Sequence, residues 1–108
     1  MQTYYYVVGS QKFLLEEEPL EEVLKERIRY YQEKEKEKDF WLVRQPAFLE
    51  SPEMEALKAA CPQPSAAIIS TNAQYIYWFK LRLEFVATGK FEAPTATIPD
   101  ALASLTSV

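Results

Sequence analysis

The feature that most constrains the fold is a run of four apolar residues, Phe40 to Val43, with charged residues before it and Pro46 after it. A run of this kind is typical of a strand that is covered on both faces. Because side chains alternate along a strand, Phe40 and Leu42 are expected to face one way, and Trp41 the other. A chain of 108 residues has little material with which to cover two faces. The run therefore predicts either a strand that the chain covers on both faces or a strand whose outer face is covered by something else.

Two long helices are predicted. The first runs from about Pro19 to Lys36, because proline and acidic residues favour a helix start and apolar residues then recur at helical spacing. The second runs from Ala73 to Thr88, with Asn72 as its N-cap and Gly89 as its stop. The alternating segment from Phe79 to Phe85 also fits a half-buried strand, but its length and its helix-forming residues favour the helix.

Three strands are predicted from aromatic, β-branched and apolar runs: Thr3 to Val8, Phe40 to Arg44, and Ala66 to Ile69. The third is apolar enough to lie at the centre of a sheet. Residues 11–15 form either an extended loop or a continuation of the first strand, and residues 47–49 are expected to resume the second strand.

The rest of the chain completes an α+β prediction. A short helix is expected after Ser51, with Ser51 as its N-cap and Pro52 at its first position, and it ends before Pro62. From Lys90 onward, prolines and small residues predict a tail over the body, with a turn or two of helix from Asp100 to Leu105. We predict one compact domain, residues 1–108, with a three- to four-stranded, largely antiparallel sheet flanked by helices and a packed tail, residues 90–108.

The second helix is predicted to carry two apolar rows. The core row comprises Ile76, Phe79, Leu83 and Val86, and the outer row comprises Tyr77, Leu81 and Phe85. A helix with two apolar sides is buried between layers or presents one side to a partner. Arg82 lies at the margin between the rows, where its guanidinium could pair with a carboxylate such as Asp39.

Composition excludes several classes of function. The net charge of −4, with no basic block, argues against a nucleic-acid partner. The chain has no His, which rules out Ser–His and Cys–His nucleophiles and the Glu-x-x-His pairs of di-iron bundles. Its one Cys, Cys61, rules out an internal disulfide, and we favour a half-buried loop thiol over a haem ligand there. We expect no catalytic residues, no cofactor site and no metal site.

No apolar run reaches the roughly 18 to 20 residues that a membrane-spanning helix needs, and the N-terminus has no signal or transit pattern. The chain is therefore expected to stay in the compartment where it is made, with no transmembrane segment.

Several longer motifs carry a family resemblance. In chain order they are Tyr4-Tyr5-Tyr6, Ser10 to Pro19, Asp39 to Val43, Gln45 to Glu50, Cys61 to Pro64, and Leu81 to Glu84. Together they resemble the small accessory subunit of the aerobic, oxidative magnesium-protoporphyrin IX monomethyl ester cyclase, a hypothetical chloroplast open reading frame family of cyanobacteria, algae and plants. The resemblance runs from about residue 3 to residue 105. Gly9, Phe79 and Lys90 stand where Ala, Leu and Glu are expected.

The resemblance implies a role in chlorophyll biosynthesis. The cyclase closes the fifth ring and yields protochlorophyllide, and a separate membrane-associated di-iron subunit carries the oxygen chemistry. The small subunit is implied to assist or assemble that di-iron subunit without being an enzyme itself, and to have a compact sheet flanked by helices. Asp39, Phe40 and Arg82 match positions implicated in binding the partner.

The same resemblance implies a location in the cyanobacterial cytoplasm or the plastid stroma, peripheral to thylakoid membranes through the partner. Other enzymes of chlorophyll biosynthesis are further candidate partners.

Alternatives remain at each position and for the function. Asp39 could be a turn residue at the junction of helix and strand, Phe40 a core residue, and Arg82 half of a structural ion pair. If Phe40 lies on the surface, Phe40→Ala should leave thermal stability nearly intact and abolish binding of the cyclase. The second function is the binding or delivery of a tetrapyrrole intermediate through spare aromatic surface. An independent small enzyme is disfavoured by the missing His.

Overall fold

The structure is a computed structural model that describes residues 1–18, 20–84 and 86–105, and its centre is a four-stranded sheet. The strands are β1 (Gln2–Ser10), β2 (Phe40–Arg44), β3 (Ser65–Ser70) and β4 (Ala87–Ala93). They are antiparallel and lie in the order β2-β3-β1-β4. The predicted α+β class with a largely antiparallel sheet is confirmed, and the strand predicted to be central, β3, is an interior strand.

In the part of the chain that the structure describes, three α-helices accompany the sheet: α1 (Leu20–Glu33), α2 (Glu55–Ala60) and α3 (Ala73–Arg82). A π-helical turn occupies Lys12–Glu17, and two 3₁₀ turns occupy Ala47–Glu50 and Pro52–Met54. The predicted N-cap of α3 is present, because the Asn72 side chain accepts hydrogen bonds from the backbone N–H groups of Gln74 and Tyr75. Within the described ranges, no helix is long and apolar enough to cross a membrane.

Both faces of the sheet are covered by the chain itself. One face packs against α1, α3 and the π-helical turn, and its buried side chains include Val7, Leu14, Leu20, Leu24, Tyr31, Phe40, Ile68, Tyr75, Ile76, Phe79 and Leu83. The other packs against the 3₁₀ turns, α2 and the C-terminal segment, and its buried side chains include Tyr6, Val8, Val43, Phe48, Leu49, Met54, Ile69, Phe91, Ile98 and Ala101. Trp41 packs partly buried against this second core, in line with the core role expected for it. The chain thus covers most of both faces of β2 itself, with Trp41 and Leu42 partly exposed, and cover by a second molecule stays a prediction.

The largest error of the sequence prediction lies after residue 82. The helix that was predicted to reach Thr88 ends at Arg82, and Ala87–Ala93 form β4 instead. Seven residues of β4 pair in register with Gln2–Val8 of β1, which also buries the side chain of Phe91. This long-range pairing outweighs the local preference for a helix. Phe85, placed in the outer row of the predicted helix, lies outside the described residues.

Smaller differences have local causes. Residues 12–17 are helical rather than extended, and residues 47–50 form a 3₁₀ turn rather than resuming a strand. The Ser51 hydroxyl donates to the carbonyl of Phe48 and so does not cap the helix that follows.

The predicted tail differs as well. Residues 90–93 belong to β4, and no helix forms over residues 100–105, where Ser104 bridges to Pro46. Pro19, expected to open the first helix, lies outside the described residues.

One glycine is required by close packing. Gly89 lies opposite Tyr6, and a Cβ at position 89 would lie 2.7 Å from Cζ of Tyr6 and closer still to its hydroxyl. The Tyr6 ring has little freedom to move, because it packs against Phe48 at 5.1 Å and Phe91 at 6.1 Å between ring centroids. Covering a strand glycine with an aromatic ring is a known way of fixing sheet register. Gly89 therefore serves the β1–β4 pairing and does not stop a helix.

Gly89→Ala is expected to lower the free energy of unfolding by about 1–3 kcal/mol, the usual effect of overpacking a filled core. Chemical denaturation measures the change. Glu92→Ala, on the same strand and exposed, is the matched control and should change stability by no more than about 0.5 kcal/mol. Equal stabilities for the two variants would show that Tyr6 moves aside at no cost.

Candidate functional site

The exposed apolar side chains are concentrated on the outer sides of α1 and α3. Among the described residues the large exposed apolar side chains are Met1, Tyr30, Tyr77, Trp78, Leu81 and Leu105, and four of these six belong to α1 or α3. Leu81 is 71% exposed and Tyr77 is 58% exposed. We call the set of Tyr30, Tyr77, Trp78, Leu81 and Arg82 the α1–α3 face. Tyr30 and Trp78 line one groove, and Tyr77 lines a second pocket on the β4 side of α3. Exposed aromatic and aliphatic side chains on neighbouring helices are typical of an interaction surface.

Arg82 is held on this face by an aromatic ring. Its guanidinium carbon lies 5.1 Å from the centroid of the Trp78 ring, in cation–π range. The predicted pairing of Arg82 with Asp39 is not found, since the two salt bridges among the described residues are Arg44–Glu21 and Lys58–Glu50. The Arg82 side chain is exposed and free to meet a partner.

Asp39 joins α1 to the sheet. Its carboxylate accepts a hydrogen bond from the Tyr31 hydroxyl at 2.9 Å, and its backbone carbonyl accepts from the Ser70 hydroxyl at 2.8 Å and from the Thr71 N–H at 3.1 Å. The side chain is half-buried at the start of β2. Asp39 therefore has the structural role of a junction residue, and its contact with a partner stays a prediction.

Phe40 lies in the core, which corrects the prediction that it is a surface contact. It is 1% exposed, and its ring meets Tyr31 at 5.5 Å and Tyr75 at 5.3 Å in edge-to-face geometry. The physical reason is that α1 and α3 both cover this end of β2, so the side chain is sealed beneath them. Phe40 can affect a partner only by holding the residues that surround it.

A groove of about 450 Å³ lies between α1 and the start of α3. Its walls include Val23, Arg27 and Tyr30 from α1 and Tyr75 and Trp78 from α3. The Arg27 guanidinium lies 3.8 Å from the centroid of the Tyr75 ring and 5.1 Å from that of Tyr31. Two aromatic rings therefore fix the direction in which this cation points.

Two hydrogen bonds connect the Arg27 guanidinium, through Tyr31, to the carboxylate of Asp39. The Arg27 Nη2 donates to the Tyr31 hydroxyl at 3.2 Å, and that hydroxyl donates to Asp39. We call Arg27, Tyr31, Asp39, Phe40 and Tyr75 the Arg27 network. It lies directly behind the α1–α3 face, because Tyr75 also stacks on Trp78 with ring centroids 6.1 Å apart and planes inclined by 13°.

Burial keeps the hydroxyls of this network protonated. It raises the pKa of Tyr75 to about 12, although the nearby Arg27 guanidinium acts in the opposite direction. Burial also raises the pKa of Tyr31, and the hydrogen bond to the Asp39 carboxylate adds to the effect. At neutral pH both side chains are neutral hydroxyls that can donate a hydrogen bond.

Arg27 and Tyr75 were missed by the sequence reasoning. The signal for Arg27 is its spacing, since residues 20, 24, 27 and 31 follow the 4-3-4 pattern of a helix core stripe and Arg27 is the one charged residue among them. A cation in such a stripe has to find partners in the fold. Nothing local in the sequence indicates that Tyr75 and Tyr31 are those partners.

Cys61 is a half-buried free thiol at the end of α2. Burial raises its pKa, which favours the thiol over the reactive thiolate. This is the loop cysteine favoured from the sequence. Among the described residues, no group of three or more His, Cys, Asp and Glu side chains is arranged to hold a metal ion.

Comparison with known proteins connects the chain to one family. The family profile described as Ycf54 protein matches residues 2–93. The Ycf54-like protein of Synechocystis sp. (strain ATCC 27184 / PCC 6803 / Kazusa) is 65% identical over 105 residues, which cover 97% of this chain and 79% of the relative. Protein YCF54, chloroplastic, of Arabidopsis thaliana is 41% identical over 102 residues, 94% of this chain and 46% of the relative. The crystal structure of the All0216 protein from Nostoc sp. PCC 7120 superposes with a TM-score of 0.95 at 70% identity and covers 97% of each chain.

Phe40→Ala is expected to lower the free energy of unfolding by about 3–5 kcal/mol, because it leaves a cavity between α1, α3 and β2. The matched control is Leu42→Ala, a half-buried residue on the same face of the same strand, for which a smaller loss is expected. Thermal or urea denaturation measures both. A Phe40→Ala protein as stable as the unmodified chain would contradict the buried position.

The free energy of unfolding should fall as the pH rises from about 10 to about 12. Across this range Tyr75 ionises in the unfolded chain, where its pKa is near 10.0, and stays protonated in the folded chain, where burial raises its pKa to about 12. Below about pH 10 both states are protonated, and the group adds no pH dependence.

Tyr75→Phe removes this contribution, so urea denaturation between about pH 9 and 11 should show a shallower decline for the variant. Leu81→Ala, an exposed substitution on the same helix that removes no titratable group, should follow the unmodified chain. Equal slopes for all three proteins would mean that Tyr75 titrates like an exposed tyrosine.

Proposed function

Because the chain belongs to the Ycf54 family, we propose that it is a non-catalytic accessory subunit of the magnesium-protoporphyrin IX monomethyl ester oxidative cyclase. In this proposal it acts in chlorophyll biosynthesis by binding and assisting the di-iron catalytic subunit. The choice of partner rests on the family resemblance described above. Six motifs carry that resemblance, of which the first is Tyr4-Tyr5-Tyr6 and the last spans residues 81–84.

The observation that carries the proposal is the α1–α3 face. Trp, Tyr and Arg are the residue types that most often dominate binding energy at protein interfaces, and this face combines Trp78, Tyr77 and Arg82 with the exposed Leu81. Trp78 holds the Arg82 guanidinium by cation–π contact before any partner arrives, which reduces the entropy lost on binding. The face therefore has the composition of a binding surface.

The three partner-binding residues expected from the sequence take different roles in this proposal. Arg82 contacts the partner directly, because its side chain is exposed on the α1–α3 face. Phe40 is a positioning residue that acts from behind, since it contacts Tyr31 and Tyr75 rather than open surface. Asp39 is half-buried, so in this proposal it both holds Tyr31 and presents its remaining surface to the partner. A change at either position would alter the shape that the partner meets.

In the proposed division of work, the di-iron subunit performs the oxygen chemistry and this chain supplies contacts only. The absence of His from all 108 residues supports that division, because the commonest general base and the usual di-iron ligand pair are both missing. Relatives in a cyanobacterium and a chloroplast support a place in photosynthetic cells. We propose that the chain is peripheral to thylakoid membranes, reaching them through its partner.

The groove favours one second function, the binding or delivery of a tetrapyrrole intermediate of the same pathway. Its volume of about 450 Å³ lies within the range of small-molecule pockets, and aromatic rings form part of its wall. Titrating the purified chain with the magnesium porphyrin ester separates this function from the first. No absorbance change at micromolar concentrations would end it.

Leu81→Ser is expected to weaken binding of the purified di-iron subunit at least about tenfold, because Leu81 is the most exposed apolar residue of the α1–α3 face. The stability of the isolated chain should change by no more than about 0.5 kcal/mol, since the side chain is already in water. Surface-immobilised binding measures the affinity, and urea denaturation measures the stability.

The matched control is Leu105→Ser, which removes another exposed leucine, 53% exposed, on the C-terminal segment. It should leave affinity unchanged. If Leu105→Ser weakens binding and Leu81→Ser does not, the partner binds on a different surface.

A further inference from the structure

Two buried polar groups of the groove lack hydrogen-bond partners. Arg27 Nε and Tyr75 Oη are both buried and neither has a partner among the described residues. Tyr75 is 5% exposed, so its hydroxyl is held away from bulk solvent. Buried polar groups without partners are uncommon in folded proteins and call for an explanation. Both groups belong to residues that line the same groove.

These two groups are held in place before any ligand arrives. The Arg27 guanidinium lies 3.8 Å from the Tyr75 ring centroid, and its Nη2 is committed to the Tyr31 hydroxyl. Tyr75 is fixed in turn by its contacts with Phe40 and with Phe79, the latter at 4.8 Å between ring centroids. Because the supporting rings are themselves buried, the free N–H and O–H groups keep their positions.

The two buried groups without partners, Arg27 Nε–H and the Tyr75 hydroxyl, can both donate hydrogen bonds. Arg27 Nε–H can only donate, and the Tyr75 hydroxyl is protonated at neutral pH. The Asn72 side-chain oxygen is taken by the backbone N–H groups of Gln74 and Tyr75, which leaves its NH₂ group to face a ligand. The N-terminus of α3 adds the positive end of a helix dipole. A carboxylate is the group that matches two or three such donors.

A negative charge also lines the groove. It disfavours a small free anion as the source of the carboxylate and favours a side chain of a bound protein. Glu26 lies in the wall beside Arg27, so the pair has no net charge. A small free anion therefore gains little long-range attraction. A carboxylate carried by a protein that is already bound next to the groove arrives at high effective concentration and needs only the short-range hydrogen bonds.

The groove is continuous with the α1–α3 face. Tyr30 and Trp78 belong to both, and Trp78 carries Arg82 on one side while its ring stacks with Tyr75. We propose that the groove receives an Asp or Glu side chain of the protein that binds the α1–α3 face, with Arg27 Nε and the Tyr75 hydroxyl as its hydrogen-bond donors. The identity of that protein rests on the function proposed above, whereas the carboxylate chemistry rests on the groove alone.

The carboxylate chemistry is tested on the isolated chain with blocked glutamate (N-acetyl, N′-methylamide), against the blocked glutamine analogue as matched control. We expect the Arg27 Nε–H resonance to shift saturably with the glutamate compound at millimolar concentrations and not with the glutamine compound. Tyr75→Phe should weaken the response several-fold. The absence of any shift, or equal shifts with both compounds, overturns the proposal whether or not the cyclase is the partner.

The role in partner binding is tested with Tyr75→Phe and the purified di-iron subunit. Removing a hydroxyl that has no partner should leave the isolated chain as stable as before or more stable, while the Kd rises about tenfold or more because a hydrogen bond to a charged group is lost. Tyr4→Phe, which removes a tyrosine hydroxyl from β1 beside the core on the other face of the sheet, should change neither quantity. A Tyr75→Phe protein that binds like the unmodified chain overturns the proposal.

Together, the two experiments distinguish failure of the proposed function from failure of the carboxylate site. If the di-iron subunit does not bind the unmodified chain but blocked glutamate shifts Arg27, the proposed function fails and the carboxylate site stands. If the magnesium porphyrin ester shifts Arg27 at micromolar concentrations and blocked glutamate does not, the carboxylate belongs to a small molecule and the side-chain source is overturned.

Discussion

The edge-to-face contacts of Phe40 with Tyr31 and Tyr75 are the interaction on which the rest of the structure depends. Phe40 begins β2, an edge strand, and the two tyrosines come from α1 and α3. These three rings therefore join both helices to one corner of the sheet. Aromatic pairs of this geometry stabilise beyond the area that they bury, and here they also set the distance between the helices. The groove and the exposed face both follow from that spacing.

The arrangement separates residues that hold the surface from residues that form it. The inner residues are at the start of β2 and on the sides of the helices that face the sheet: Asp39, Phe40, Tyr31 and Tyr75. The outer residues are on the exposed side of α3: Trp78, Leu81 and Arg82. Substitution of an inner residue changes stability and surface shape together, whereas substitution of Leu81 or Arg82 changes mainly the contact. Trp78 belongs to both groups, because its ring is exposed and also packs on Tyr75 and Phe79. Loss of binding by itself therefore does not identify a contact residue in this protein. Stability and affinity have to be measured on the same variant.

Much of the fold could be predicted from local sequence. The bounds of β2 follow from the apolar run and Pro46, and the N-cap of α3 follows from Asn72. The boundary between α3 and β4 could not be predicted, because the sequence of residues 79–85 suits both a helix and a strand. What decides the matter is the pairing of β4 with β1, some eighty residues earlier in the chain, together with the space that Gly89 leaves for Tyr6.

The candidate site was predictable only in part. The exposure of Tyr77 and Leu81 follows from their spacing opposite the core row, and Arg82 lies beside them as expected. The apolar run itself is typical of a strand covered on both faces, which agrees with the buried position of Phe40, and the surface role came from the resemblance instead. The run does not say which helices cover the strand. Arg27 is visible as a cation in a core stripe, but the rings on either side of it come from sequence positions 31 and 75. The groove therefore appears only when the helices are placed on the sheet.

The central claim is that a partner binds the outer sides of α1 and α3 and that the Arg27 network supports this surface from within. Hydrogen–deuterium exchange of the chain, alone and with the purified di-iron subunit, tests it most directly. The account predicts slower exchange on binding in peptides from α1 and α3, with α2 and residues 94–105 unchanged. Protection confined to α2 or the C-terminal segment, with α3 exchanging as in the free chain, would contradict it.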